Sequence, residues 1–106
     1  MSLTVILSSI GSSAEADTLA RQLVNEKLAA CVVSLPEATA TYFWEGAVEQ
    51  ARDVVLLIKT PSELAPKTIA RITELHPYKT PEIIGIDATS VNGAYLEWAL
   101  ASTRLS

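Results

Sequence analysis

An α+β fold is predicted by three features of this chain. Apolar segments rich in β-branched residues alternate with segments whose apolar residues recur at helical spacing. Ser/Thr-x-x-Glu boxes mark helix starts. A proline, Pro77, follows the last residue of one helical pattern. The 106 residues suffice for one domain that buries roughly two-thirds of its unfolded surface. With 49% apolar and 19% charged residues, the composition is that of an ordered globular protein.

Residues 3–9 carry Leu3, Val5, Ile6 and Leu7 and read as a first strand. Ser12 stands three residues before Glu15, a capping box that satisfies the first free amides of a helix. Ala16, Leu19, Ala20, Leu23, Val24 and Lys27 follow at helical spacing and give that helix an apolar face. A second strand spans residues 30–34. Pro36 cannot donate to a ladder, so it predicts a kink or an edge position; strand character resumes over residues 39–44. Gly46 supports a reversal into a third strand over residues 48–60, within which 54–58 is continuously apolar, the pattern of burial on both faces. Thr60 and Glu63 form a second capping box, with Pro61 at the first helical position. Pro66 is tolerated only near a first turn, which allows this helix to begin a few residues later. Ile69, Ile72 and His76 share its face, and Pro77 ends it. Residues 82–89 form the last strand, and Asn92 caps a final helix carrying Leu96, Ala99, Leu100 and Thr103.

The order is β-α-β-β-α-β-α. Its first six elements match a ferredoxin-like split βαβ sandwich, with the seventh an extra C-terminal helix. That topology places the first and third strands mid-sheet, in keeping with their dense apolar runs. The second and third strands are longer than so small a domain needs, so they are expected to project as an extended hairpin with its tip near Gly46. Three adjacent aromatics, Tyr42, Phe43 and Trp44, cannot all face one side of a strand. Such a ribbon exposes edges and rings unless another chain covers them. Homo-oligomerisation is the expected remedy, with Tyr42, Trp44 and Glu45 at the interface.

The net charge of −4 and the scattered Lys and Arg residues argue against nucleic acid as a partner. No apolar run reaches membrane-span length. Residues 1–10 have no basic segment ahead of their apolar run, and Cys31 is the single cysteine, which excludes an intrachain disulfide. A soluble, cytoplasmic protein is expected. There is no Gly-x-Ser-x-Gly elbow, no phosphate-cradling glycine loop and no second histidine for a relay, and Ser8 and Ser9 have no base beside them. An enzyme is not expected.

Several short motifs, in order and at compatible spacing, carry a specific resemblance. They are Leu28-Ala29-Ala30-Cys31-Val32, Tyr42-Phe43-Trp44-Glu45-Gly46, Ile58-Lys59-Thr60, His76-Pro77-Tyr78, Pro81-Glu82-Ile83-Ile84 and Tyr95-Leu96-Glu97-Trp98. From Val5 to about Trp98 the chain resembles the CutA family, named for divalent-cation tolerance. The resemblance implies a ferredoxin-like homotrimer, with sheets around a threefold axis and hairpins reaching onto neighbours. It also implies a shape similar to PII signalling proteins, a role in metal response with copper the cation most often proposed, and no obligatory cofactor or established reaction. The chain departs from the family pattern at two positions. Lys79 stands where an acidic residue often follows His-Pro-Tyr, which removes a carboxylate ligand and adds a repelling charge. Val33 stands where Asn often follows Ala-Cys-Val.

The candidate metal ligands are Cys31, His76 and Glu82. A thiolate suits soft Cu(I), and a Cys–His pair can hold Cu(II). The plainer readings are a small buried hydrophobe for Cys31, a packing or capping residue for His76 and a solvated carboxylate for Glu82. Glu45 and Asp53 carry the same two readings as Glu82. Without an HxxxH or CxxC spacing, a closed zinc site within one chain is not expected, whereas a site shared between subunits is compatible with these residues. Lys59, Tyr78 and Lys79 are candidates for an inter-subunit cleft that binds a small anionic metabolite. A third reading is an assembly partner with no ligand of its own.

Overall fold

The structure, a computed structural model, describes residues 2–104. The elements are β1 (Leu3–Ile10), α1 (Ser13–Asn25), β2 (Cys31–Trp44), β3 (Ala47–Pro61), a 3-10 turn (Ser62–Leu64), α2 (Ala65–Leu75), β4 (Ile83–Asp87) and α3 (Gly93–Ala101). The four strands form one antiparallel sheet in the order β2-β3-β1-β4, with β1 and β3 central as the topology required.

Cross-strand partners share a face, so the register sorts the side chains into two layers. On one face lie the rows Gly85–Ile6–Ile58–Val32 and Ile83–Ser8–Leu56–Ser34, followed by Ile10–Val54. There Ile6, Leu56 and Ile58 are fully buried against Ala16, Leu19 and Leu23 of α1 and Ile72 of α2. Among the described residues, the opposite face is covered only at one end, where α3 packs Ala99 onto Leu3 and Ala30.

Ser12 caps α1 as the box predicts: its Oγ accepts from the Glu15 amide at 3.2 Å and donates to the Glu15 carboxylate at 3.0 Å. The helix stops at Asn25, earlier than the apolar spacing suggested, because Lys27 adopts φ 60°. Val24, assigned to the apolar face, is exposed instead. The second capping box does not form. Thr60 is a buried strand residue whose hydroxyl donates to the Leu28 carbonyl at 2.8 Å, so it cannot serve a helix start. The chain spends one 3-10 turn after Pro61, and α2 starts at Ala65 with Pro66 in its first turn, where the missing amide costs no hydrogen bond. Asn92 caps α3 by accepting from the Tyr95 amide at 3.1 Å.

Pro36 does not interrupt β2. Leu35 pairs with Val55 and Ala38 with Asp53, so Pro36 and Glu37 oppose Val54 alone and form a bulge, with Glu37 at φ 60°. Beyond it the ribbon continues to a two-residue turn, Glu45–Gly46, in which both residues take positive φ, the geometry a tight hairpin needs. This ribbon stretches the molecule to 46 Å along one axis against 26 and 22 Å along the others.

The C-terminal end of α1 is tied down from two directions. Arg71 of α2 donates twice to the Glu26 carboxylate, both at 2.9 Å, and Arg104 donates to the Glu26 carbonyl at 2.9 Å. The Arg71 bonds, then the Gln22 bond, hold the Glu26 carboxyl below its ordinary value of 4.5. A depressed carboxyl contributes its stability in full above the ordinary value, and the contribution is lost as pH falls through the lower folded one. Thermal midpoints should therefore decline from about pH 6 to about pH 3, and Glu26→Gln should make that decline shallower.

Candidate functional site

The same alternation that buries one sheet face leaves the other apolar. Its rows read Ile86–Val5–Lys59–Cys31 and Ile84–Leu7–Leu57–Val33, then Val55 with Leu35. Ile84 is 46% exposed, Ile86 51% and Leu35 47%, and Trp98 of α3 stands exposed as well. One charge interrupts this surface. The Lys59 ammonium lies 5.7 Å from the ring centre of Tyr95, and among the described residues no carboxylate pairs with it. Cys31, directly across from Lys59, is a partly exposed free thiol.

At the opposite end of the sheet, the loop after α2 brings His76 and Tyr78 against β1 and β3. His76 is 7% exposed. The Tyr78 amide must donate, so Nδ1 of His76 accepts at 3.1 Å, and Nε2–H then donates to the Ser9 carbonyl at 2.7 Å. Both ring nitrogens are committed within the chain, and the residue caps α2 by packing and hydrogen bonding. The Tyr78 ring stacks edgewise on His76 at 4.7 Å, and its hydroxyl donates to Asp53 at 3.3 Å. Partial burial, followed by the nearby Asp53 carboxylate, holds the phenol proton more tightly than usual.

Within one chain the candidate ligands do not converge. His76 meets β1 at Ser9, and the Glu82 carbonyl accepts from Ser8 at 2.6 Å, whereas Cys31 shares its row with Val5. Four residues of strand, about 13 Å, separate Val5 from Ser9. Among the described residues, no three His, Cys, Asp or Glu side chains are grouped to hold a metal ion. The cleft candidates are divided likewise: Tyr78 touches Asp53, six strand residues or about 20 Å from Lys59. Tyr42, Trp44 and Glu45 stand exposed on the ribbon, and so do Phe43 (71%) and its partner Val48 (68%).

A family model described as CutA1 divalent ion tolerance protein matches residues 4–102. The chain belongs to this family.

A protein of Thermus thermophilus named divalent-cation tolerance protein CutA is 39% identical over 99 residues, covering 93% of this chain and 96% of its own. The solved CutA1 of Oryza sativa superposes with a TM-score of 0.95 at 33% identity, covering 100% of this chain and 97% of that one. A CutA structure from Archaeoglobus fulgidus, described as a periplasmic divalent cation tolerance protein, gives a TM-score of 0.90 at 30% identity, with 94% and 97% covered. The relatives are named for cation tolerance and not for a catalysed reaction.

Within this CutA frame, the projecting ribbon was legible in the sequence, and Cys31 and Lys59 stood among its candidates, but the apolar floor on which those two stand was missed. The signal was present in the unbroken apolar run of residues 54–58 and in the spacing of Val5 with Leu7 and of Ile84 with Ile86. Gly11 was also missed. A Cβ there would lie 3.0 Å from the Tyr78 hydroxyl, so a side chain at this position would push that hydroxyl aside by a few tenths of an ångström.

Because both nitrogens of His76 are engaged, His76→Ala should destabilise the fold by about 1–3 kcal/mol, through the lost packing of a buried ring and the partly buried Ser9 carbonyl and Tyr78 amide it leaves without a partner. Urea unfolding of the two proteins measures this. An unchanged midpoint would show that the histidine carries no structural role.

Proposed function

We propose that three copies of this chain assemble through their open sheet faces and hairpins into a divalent-cation-responsive binding protein. Copper is the cation, and the thiol-bearing surface near the subunit boundary is the place for it. The observation that carries this reading is the apolar sheet face, left largely uncovered by the described residues and continuous across all four strands. A face of that kind in contact with water favours association. Family membership supports the cation response. Cys31 lies on that face, and a thiolate suits Cu(I). Because no single chain gathers three ligands among the described residues, a site completed by a neighbouring subunit is the reading consistent with the geometry. Glu82, exposed at the sheet's end, is available to such a site, whereas His76 would first have to give up its bonds to Ser9 or Tyr78. The single cysteine, which leaves no intrachain disulfide, supports a cytoplasmic setting for the same reading.

A second reading, a PII-like sensor of a small anionic metabolite, is favoured by Lys59, an ammonium held on an apolar surface beside a ring and, among the described residues, with no carboxylate paired to it. Tyr78 and Lys79 would join it only from another subunit.

Titration of the assembled protein with Cu(I), Cu(II) and Zn(II) separates these readings. The metal reading expects Cys31→Ser to weaken copper binding more than about tenfold while leaving the sedimentation profile intact. Affinity unchanged by Cys31→Ser and by His76→Ala removes both residues from the site. An anion-dependent rise in thermal midpoint that vanishes in Lys59→Met would favour the sensor instead.

A further inference from the structure

The ribbon beyond the bulge, residues 38–53, is held to the rest of the chain by little. Its strands pair only with each other, because β1 ends at Ile10 opposite Val54. Among the side-chain hydrogen bonds of the described residues, one joins this segment to the body: the Tyr78 hydroxyl to Asp53 at 3.3 Å. Asp53 pairs with Ala38, the first residue after the bulge, so the bond is made at the base of the ribbon. Tyr78 is itself well braced. Its ring packs on His76, its amide donates to the His76 ring, and that ring is anchored to the last turnings of β1 through the Ser9 carbonyl. Gly11 opens the space through which the hydroxyl reaches, since a Cβ would stand 3.0 Å from it.

On the other side of the ribbon's base stands the bulge. Pro36 supplies no ladder donor, Glu37 adopts the left-handed φ of 60°, and both residues are exposed. A bulge bends and twists a strand locally. A bond placed across from it therefore has leverage on the direction in which the remaining strand residues run.

We propose that Ser9, His76, Tyr78 and Asp53 form a strut that fixes the angle at which the aromatic ribbon leaves the sheet, with the Pro36–Glu37 bulge as the hinge it restrains. Tyr78 is then a positioning residue for Tyr42 and Trp44, which sit on the Asp53 side of the ribbon: Tyr42 pairs with Glu49, Ala40 with Ala51 and Ala38 with Asp53 along one face. Displacing one phenol re-aims the aromatics without touching the core. The inference concerns contacts within a single chain and is independent of the metal.

Hydrogen–deuterium exchange of the intact protein tests it, read on peptides from residues 38–53 and compared with peptides from β1 and α1. Tyr78→Phe keeps the ring and its packing on His76 but removes the bond. Exchange over residues 38–53 should quicken by about two- to tenfold while β1 and α1 stay as they were. Gly11→Ala, which crowds the hydroxyl, should reproduce the effect. Asp53→Asn, whose side-chain oxygen still accepts, should retain most of the protection. Equal acceleration in every peptide would assign Tyr78 to general stability and overturn the strut, and so would unchanged exchange over residues 38–53 in both Tyr78→Phe and Gly11→Ala. Sedimentation of the same samples reports assembly separately, so failure of the strut and failure of the oligomeric reading are distinguishable.

Discussion

The structure depends on a mismatch between its sheet and its helices. A four-stranded sheet has two faces to cover. Helices α1 and α2 cover one, and the nine-residue α3 reaches only the end of the other. The covered face holds the fully buried Ile6, Leu56 and Ile58, and burial of each such side chain is worth about 1.5–3 kcal/mol. The other face repeats nearly the same chemistry with Val5, Leu7, Val33, Leu57, Ile84 and Ile86, and gains only a fraction of that within the chain. Polar residues at these positions would cost a solitary chain less than at the covered face and would leave it more soluble. The apolar choice makes physical sense where another molecule shares the surface.

The ribbon extends the same logic. Its two strands add ladder hydrogen bonds but no core, and they carry Tyr42, Phe43, Trp44 and Val48 into solvent. Rings exposed on a long open-edged hairpin are an association hazard for a solitary chain. On a chain with partners they are contact area. The bulge at Pro36–Glu37 and the Tyr78–Asp53 bond then acquire a purpose, because an arm that meets a neighbour must point in a fixed direction.

Much of the fold was legible because it is written in local pattern. The Ser12–Glu15 box, the Asn92 cap, the Gly46 turn and the central places of β1 and β3 follow from residue chemistry over a few positions. The failures share a cause: tertiary contacts outbid a local signal. Thr60 resembles a cap by spacing, but the Leu28 carbonyl claims its hydroxyl, thirty-two residues away in the chain. Pro36, by contrast, reads as a kink or an edge position, and it lies at a bulge in β2, an edge strand. The site was less legible. Cys31 and Lys59 are cross-strand neighbours, which follows only once the β2–β3 register is known. The double engagement of His76 depends on Ser9, sixty-seven residues distant, and on a loop geometry that no periodicity encodes.

In the assembly we propose, copies of this chain share the uncovered apolar face and the projecting ribbon. Sedimentation equilibrium at micromolar concentration addresses it most directly, with Leu57→Asp as the comparison that places a charge mid-face. The account expects a species near three times the 11.4 kDa chain mass, lowered in Leu57→Asp. A folded, monodisperse 11.4 kDa species at that concentration would contradict it.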